Sequence, residues 1–396
     1  MNQKQMLLPL LDALVEEGGR GKTASLYDAV AERIGLAKEA REERVTLKSG
    51  ATINAFERNC RWAMQQAKFK QLAEPIGNQL WRVTTRGKQA LTEATPGKVV
   101  TVYINKLGFA LWCNSEDGIG LLDDNSVNLL FTSPPYPLLR KKEYGNVSER
   151  EYVDWFLRMA EQWPRVLAND GSIVINLGDV WTPGLPTLST YQERLMVKLE
   201  DVMGLKLCQR FAWQNPSKMP APAEWVTVRR VRVKPSLEQL YWLSPTGNPK
   251  ANNRNVLTTY SESMLQRIAS GGENGATRPS GYSVKAGAFS AVNGGAIPGN
   301  LLTAANTESN SRYITECRAN DLPVHPARFP AALPGFFIDL TTDVGDTVMD
   351  PFAGSLTTCK VAQEKQRKWI GLDRVREYLE GGKLRFSEPA AMPLFA

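Results

Sequence analysis

The fold is decided by residues 347–355, which read Thr347-Val348-Met349-Asp350-Pro351-Phe352-Ala353-Gly354-Ser355. The run before Asp350 is β-rich, and a helical stretch begins near Leu356. The pattern therefore predicts a strand, a glycine-containing turn and a helix. Ligands bind at the carboxyl ends of strands in open α/β sheets. Because Asp-Pro and Gly-Ser are also common in ordinary loops, the turn needs a companion feature before it indicates a site.

That companion is Asp373, which closes the next predicted strand 373 − 350 = 23 positions after Asp350. A carboxylate about 20 residues beyond such a turn meets ribose hydroxyls in nucleoside-binding βαβ units. The chain has no G-x-G-x-x-G or Walker A loop, so pyrophosphate binding is not supported. Turn and acid together predict a nucleoside cofactor.

A second junction of strand and loop lies upstream, where the apolar residues 127–131 lead into Thr132-Ser133-Pro134-Pro135-Tyr136. Proline has no amide N–H and is stiff, so the pair leaves backbone carbonyls as fixed hydrogen-bond acceptors. Such acceptors suit an amine. An isolated Ser-Pro-Pro-Tyr is more often a polyproline II loop or a proline-rich ligand for another domain.

The chain of 396 residues predicts two domains, residues 1–95 and 99–396. In the first, helices at 4–17, 24–36 and 52–70 precede short strands around Gly77-Asn78, in the manner of a winged helix. In the second, β-rich runs alternate with helical stretches, which indicates a parallel α/β sheet. Residues 245–312 are rich in Gly, Ser, Asn and Pro and predict a loop-rich segment that is mobile when unbound.

Composition narrows the class of protein. The formal net charge of +7 suits a polyanionic partner. His325 is the single histidine, and the five cysteines form no C-x-x-C pair, so no metal site is expected and the thiols are expected to be reduced in the cytoplasm. No apolar run is long enough to predict a membrane span.

Two groups of basic residues are candidate DNA contacts. In an extended run, side chains at alternate positions share one face, where they would meet phosphates. On the third predicted helix, arginines lie outside the apolar stripe, which fits either a DNA-recognition helix or an ordinary solvated face. The first group is Arg229, Arg230, Arg232 and Lys234, and the second is Arg58 and Arg61.

The two motifs together resemble those of the DNA amino-methyltransferases, over roughly residues 109–379. Asp350-Pro351-Phe352-Ala353-Gly354-Ser355-x-Thr357-Thr358 resembles the family's cofactor loop, with Leu356 where the family usually has glycine. The catalytic motif precedes the cofactor motif, as in the β class. The resemblance implies a Rossmann-like sheet with helices on both faces, and a target-recognition insertion at about 182–320. It implies S-adenosylmethionine as the cofactor.

The resemblance also assigns roles to residues. The catalytic set is Ser133, Pro134, Pro135 and Tyr136, with Ser133 Oγ and the Pro134 carbonyl accepting hydrogen bonds from the target amine and Tyr136 stacking on the base. The cofactor-binding set is Asp350, Pro351, Phe352, Gly354, Ser355, Thr357, Asp373, His325, Pro326, Phe329 and Asn114; at Asn114 relatives commonly carry Asp.

The N-terminal segment resembles another family. Residues 1–92, which close on Trp81-Arg82-Val83-Thr84-Thr85-Arg86-Gly87, are similar to the N-terminal winged-helix module of the Mrr restriction proteins.

We therefore expect an enzyme that flips a base out of double-stranded DNA and methylates its exocyclic amine. Ser133 favours N4 of cytosine, with N6 of adenine and a non-catalytic DNA-binding regulator as alternatives. No cysteine follows a proline, which argues against C5 methylation, and a zinc deaminase would need more histidines. A bacterial or phage-encoded cytoplasmic protein with a possible cognate restriction endonuclease is expected. The recognition sequence and oligomeric state stay open.

Overall fold

The computed structural model describes residues 6–46, 50–137, 147–307 and 311–386. The chain divides into two compact units. The first comprises Met1–Lys98 with Arg374–Arg376, and the second Val99–Asp373 with Glu377–Ala396.

The first unit packs helices against a small antiparallel sheet of strand order β1-β5-β4. Leucines along α1 and the apolar face of α4 form its core, since residues three and four apart share one face of a helix. The elements are α1 Leu7–Glu16, β1 Arg20–Lys22, α2 Thr23–Arg33, α3 Lys38–Glu42, β2 Arg44–Thr46, β3 Thr52–Asn54, α4 Ala55–Phe69, β4 Ala73–Gly77, β5 Leu80–Val83 and α5 Thr85–Thr92.

The predicted helix at 52–70 begins three residues later than expected. Thr52–Asn54 instead forms β3, paired with β2 in a hairpin that the sequence did not reveal. The Asn54 side chain accepts a hydrogen bond of 2.9 Å from the Glu57 amide and so caps α4. The β-branched Thr52 and Ile53 favour the strand, and the cap fixes where the helix starts.

The second unit is built on a nine-stranded sheet of order β12-β10-β11-β9-β8-β13-β14-β7-β6. Neighbouring strands from β9 to β7 are parallel, whereas β11 and β6 run antiparallel to the strands beside them. The strands are β6 Val100–Ile104, β7 Gly108–Trp112, β8 Val127–Thr132, β9 Leu167–Leu177, β10 Lys206–Gln214, β11 Leu237–Ser244, β12 Leu301–Thr303, β13 Thr347–Asp350 and β14 Lys368–Asp373.

Helices cover both faces of this sheet, as expected. Successive strand residues point to opposite faces: Leu130 joins the cluster with α7 and α9, whereas the neighbouring Phe131 contacts Phe337 of α12. The helices are α6 Ser115–Ile119, α7 Glu149–Ala160, α8 Trp163–Val166, α9 Tyr191–Met203, α10 Glu262–Ala269, α11 Ser311–Ala319, α12 Ala332–Thr341, α13 Thr357–Glu364 and α14 Arg376–Lys383.

Two helical stretches of the second unit are limited by local backbone features. Residues 149–166 form two helices rather than one, α7 and α8, and Pro164 occupies the first turn of α8. The helix α13 ends at Glu364, because Gln366 adopts a left-handed turn with φ of 60°.

The segment between the two motifs belongs partly to the sheet. β10 and β11 lie within residues 182–320 and hydrogen-bond to each other and to β9. Residues 245–300 contain only α10 and a short 3-10 turn at Asn253–Val256. None of the helices in the described ranges has the length and apolar character needed to cross a bilayer.

Candidate active site

The sheet brings the two sequence motifs side by side. β8 and β13 are parallel neighbours, with Val348 opposite Leu129 and Met349 opposite Leu130. Thr132 Oγ1, at the end of β8, donates a 2.8 Å hydrogen bond to Asp350 Oδ1, at the end of β13. Residues 218 positions apart in the chain therefore meet at one edge of the sheet.

A polar cluster surrounds the Ser-Pro-Pro-Tyr loop. Ser133 Oγ lies 3.0 Å from the Tyr136 hydroxyl and 3.3 Å from Asn176 Oδ1. The Tyr136 hydroxyl lies 3.1 Å from both Asn176 Oδ1 and Glu238 Oε2. Glu238 Oε1 accepts a 3.0 Å ion-pair hydrogen bond from Lys218. We call Ser133, Tyr136, Asn176, Glu238 and Lys218 the amine-side cluster.

Neighbouring strands hold this cluster in place. Asn176 is at the carboxyl end of β9, and its Nδ2 donates to the Gln239 carbonyl of β11 at 3.3 Å. Gly178 leaves room for the Tyr136 ring, because a Cβ at Gly178 would lie 2.6 Å from ring atom Cε2. The Tyr191 hydroxyl donates to the Gly178 carbonyl at 2.5 Å. The Tyr136 ring is thus confined on one side by backbone.

Burial shifts the titration of groups in and beside the cluster. Desolvation raises the pKa of Tyr136 well above its usual value, so its phenol stays protonated. Desolvation also raises the pKa of Asp179, opposed by Lys218 and reinforced by Glu238. A neutral phenol both donates and accepts hydrogen bonds, so it can pass a proton between neighbours.

The cofactor loop is held from inside by buried acids. Asp350 is fully buried and accepts hydrogen bonds from Thr132 Oγ1, from Thr358 Oγ1 at 2.8 Å and from the Phe352 amide at 3.1 Å. Asp373 Oδ2 accepts from the Gly354 amide at 2.8 Å. Both carboxylates therefore set the path of the loop backbone.

The side chains of Ser355 and Thr357 are also buried and lie 3.2 Å apart, so they bond to each other. Arg385 donates to the Ser355 carbonyl at 2.7 Å, and its guanidinium lies 4.3 Å from the centre of the Tyr313 ring. Pro351 is buried, and Phe352 is half-buried with its ring 6.0 Å from that of Trp155. The loop is therefore supported from several sides.

Leu356 occupies the position where glycine is usual in the related loops, and its backbone explains that preference. Its φ is 56°, in the left-handed region that glycine adopts most readily. The side chain points inward and is fully buried. A Cβ at Gly371 or at Gly382 would come within 2.8 Å of it, so these glycines make its pocket. The extra bulk is directed into the core rather than toward a ligand.

The remaining predicted cofactor residues lie around the same edge. The His325 ring packs edge-on against Tyr378 at 4.5 Å and close above Gly354. Phe329 contacts Phe131 edge-on at 5.4 Å. Pro326 is exposed, and Asn114, just before α6, donates to Asp117 Oδ2 at 3.3 Å.

The basic run at 229–234 is not extended, which corrects the expectation that alternate side chains share a face. A π-helical turn at Glu224–Val228 precedes it, and Arg230 has a φ of 54°. Arg229 lies over the Trp225 ring, Arg232 donates to the Pro186 carbonyl at 2.8 Å and Lys234 to the Pro216 carbonyl at 3.4 Å. All four basic side chains are exposed.

Glu238 and Lys218 are members of the cluster that the sequence patterns did not indicate. Glu238 could have been noticed in the sequence, because it is an acid near the start of the otherwise mostly apolar strand Leu237-Glu238-Gln239-Leu240-Tyr241-Trp242. Lys218 lies in a loop whose position depends on the tertiary fold. Neither could be joined to Ser133 until the order of strands was known.

Replacing Leu356 tests whether backbone strain or packing dominates. Leu356→Gly should relieve about 1 kcal/mol of left-handed strain but lose about 3 kcal/mol or more of buried side chain. It should therefore lower the free energy of unfolding, and Leu356→Ala, which keeps the strain, should lower it further. Chemical denaturation measures both. A glycine variant at least as stable as the parent would contradict this packing.

Asp350 predicts a pH dependence of stability. Burial raises its pKa from 3.8 to about 6, against the hydrogen bonds from Thr358, Thr132 and the Phe352 amide. Between about pH 4 and 6 the folded chain holds a proton that the unfolded chain has released, so this group's contribution to unfolding free energy falls by about 1.4 kcal/mol per pH unit as the pH rises.

Asp350→Asn removes this titration. The unfolding free energy of the variant, relative to that of the parent, should therefore increase between pH 4.5 and pH 7. Urea denaturation at several pH values measures this difference. Parallel curves for the two proteins would show that Asp350 does not titrate in this range.

Comparison with known proteins finds a matching family for each of the two parts of the chain. A family model described as DNA methylase matches residues 127–383, and one for the Mrr N-terminal domain matches residues 4–93. The type II methyltransferase M.PvuII of Proteus hauseri is 43% identical over 275 residues, covering 68% of this chain and 82% of that protein. M.BglII of Bacillus subtilis is 24% identical over 321 residues, covering 80% and 77%.

Among solved structures, PvuII DNA methyltransferase (cytosine-N4-specific) matches with a TM-score of 0.60 and 36% identity, over 74% of this chain and 90% of that one. The DNA methylase model covers the strands that carry the two motifs. On the evidence of the family model and of M.PvuII, the chain belongs to the DNA methylase family.

Proposed function

We propose that the protein transfers a methyl group from S-adenosylmethionine to N4 of a cytosine flipped out of double-stranded DNA. The observation that carries the proposal is the Thr132–Asp350 hydrogen bond, which joins the start of the Ser-Pro-Pro-Tyr loop to the start of the Asp350 loop. The choice of cytosine rests on Ser133 and on the similarity to a cytosine-N4-specific relative.

The exocyclic amine is a poor nucleophile because its lone pair is conjugated with the ring. Hydrogen bonds from both N–H groups to fixed oxygens favour a pyramidal, more reactive nitrogen, and Ser133 Oγ and the Pro134 carbonyl supply those oxygens. Tyr136 contributes a ring for stacking, although its hydroxyl is already engaged by Glu238 and Asn176. The task of these residues is mainly positioning.

The residues at the neighbouring strand ends fit the cofactor. Asp373 ends β14 and Asn114 follows its parallel neighbour β7, and both offer polar atoms suited to a ribose and an amino acid moiety. The backbone at Gly354 passes so close to His325 that a Cβ at Gly354 would lie 2.8 Å from the imidazole Nε2. The predicted set of Pro351, Phe352, Ser355, Thr357, Pro326 and Phe329 shapes this loop and its rim. When bound, the cofactor supplies an electrophilic methyl group.

Two exposed basic regions are the proposed DNA contacts. Arg229, Arg230, Arg232 and Lys234 follow the π-helical turn and would meet phosphates. In the first unit, exposed side chains at Arg58, Arg61, Gln65 and Lys68 recur at helical spacing on α4, opposite its buried face. We assign α4 as the recognition helix of a winged-helix module.

We propose that the protein works beside a cognate restriction endonuclease, as the modification enzyme of a restriction-modification pair. Its location would be the cytoplasm of a bacterium, whether a bacterium or a phage encodes it. M.PvuII and M.BglII are both named type II methyltransferases, and this chain resembles both along most of their length.

The function is tested by incubating the protein with methyl-labelled cofactor and mixed-sequence DNA, then digesting the DNA to nucleosides. We expect N4-methylcytosine. Ser133→Ala should retain cofactor affinity and lose about 10²-fold or more in turnover, the loss typical of removing one positioned hydrogen-bonding group. N6-methyladenine as the product would overturn the choice of cytosine as the target base. Failure to bind the cofactor would overturn the proposal that the protein is a methyltransferase.

The role of α4 is tested with Arg58→Ala/Arg61→Ala. If these arginines contact phosphates, affinity for DNA should fall and the slope of log K against log salt should shrink by about 1–2. Arg86→Ala/Lys88→Ala on α5 removes the same charge from another helix of the unit and serves as the matched control. If the two pairs of substitutions had equal effects, α4 would contribute only through its net charge. That result would contradict its assignment as the recognition helix.

A further inference from the structure

Glu238 stands out in the amine-side cluster because it is a carboxylate in contact with the catalytic loop. It lies on β11, which pairs with β9, the strand that carries Asn176. Its side chain is only 15% exposed. One oxygen, Oε2, lies 3.1 Å from the Tyr136 hydroxyl, and the other accepts the ion-pair hydrogen bond from Lys218 at 3.0 Å.

Methyl transfer to an amine creates a need that this carboxylate can meet. The nitrogen gains a bond to carbon and becomes positively charged, so it must lose one N–H proton to yield the neutral product. Hydroxyl and amide groups can pass a proton or orient a neighbour, but they do not retain an extra proton near neutral pH. Within the hydrogen-bonded cluster formed by the described residues, Glu238 is the group that can hold the proton.

We propose that Glu238 is the terminal proton acceptor of methyl transfer, reached through the hydroxyls of Ser133 and Tyr136; this rests on the proposed function. As the nitrogen lone pair forms the N–C bond, the S–C bond breaks and its electron pair stays on sulfur. The N–H proton passes to Ser133 Oγ, the Ser133 proton to Tyr136, and the Tyr136 proton to Glu238 Oε2. Glu238 ends as a neutral acid and later releases its proton to water.

The surrounding contacts suit this direction of transfer. Ser133 Oγ and the Tyr136 hydroxyl are 3.0 Å apart, so two successive hydrogen bonds link Ser133 to Glu238. Lys218 forms an ion pair with the carboxylate at 3.0 Å and fixes its orientation. The raised pKa of Tyr136 means that its phenol relays a proton rather than resting as a phenolate. Among the residues that the structure describes, the charged or titratable groups near Glu238 are Lys218, Tyr136, Asp179 and Tyr191.

The decisive substitution is Glu238→Gln, because glutamine is the same size and its carbonyl can still accept from Tyr136, yet it cannot take up the proton. Single-turnover methyl transfer should slow by about 10²-fold, as expected for loss of a general base. Affinity for a non-transferring cofactor analogue, affinity for DNA and fluorescence of 2-aminopurine at the target position should match the parent. Glu200→Gln, which breaks a surface ion pair with Lys206, is the matched control.

A rescue separates proton acceptance from a structural role. Asn176 Oδ1 lies 3.3 Å from Ser133 Oγ and 3.1 Å from the Tyr136 hydroxyl, so Asn176→Asp places a carboxylate in reach of the same groups. Adding Asn176→Asp to Glu238→Gln should recover about 10-fold or more of the lost rate, within the range of general-base effects. Tyr136→Phe should be slow, and combining it with Glu238→Gln should slow transfer little further.

The outcomes are distinguishable. A Glu238→Gln protein that transfers methyl groups at the parental rate would overturn the proposal. So would a slow variant that also loses cofactor or DNA affinity and is not rescued by Asn176→Asp, because that would make Glu238 structural. If the parent protein transfers no methyl group to DNA under the same conditions, the proposed function itself fails.

Discussion

The rest of the site depends on one buried hydrogen bond, from Thr132 to Asp350. It ties the ends of two adjacent parallel strands, and each strand leads into one of the two functional loops. Asp350 then binds Thr358 at the start of α13 and the Phe352 amide, so one carboxylate organises both sides of the junction. Burial makes this acid costly to ionise and raises its pKa to about 6, although the hydrogen bonds from its partners act in the opposite direction.

Much of this fold could be predicted from sequence because its strands are short, apolar and followed by distinctive turns. β8, β13 and β14 were expected within one or two residues of their bounds. The expected resemblance to the DNA methylases and to the Mrr N-terminal module is confirmed by the family comparisons. The β2–β3 hairpin was missed because Thr52 and Ile53 also fit the period of the following helix, which Asn54 in fact begins.

The site was less predictable than the fold. Ser133, Asn176 and Glu238 lie on three different segments, and only the register of β8, β9 and β11 brings them together. Hydrophobic periodicity reports which face of a strand is buried, but not which strand lies beside it. Leu356 is a second example, since the sequence shows only its departure from glycine, whereas the structure shows its side chain in the space left by Gly371 and Gly382.

The placement of Glu238 limits how the specificity of such an enzyme can be rebuilt. Residues 182–320 contain both β11, which bears Glu238, and β10, which pairs with it. An exchange of that whole segment with a relative would replace the proposed proton acceptor together with the proposed recognition residues. The segment 245–300 adds no strand to the sheet and begins after β11 ends at Ser244. Exchanging only that segment would therefore leave Glu238 and the strands around it in place.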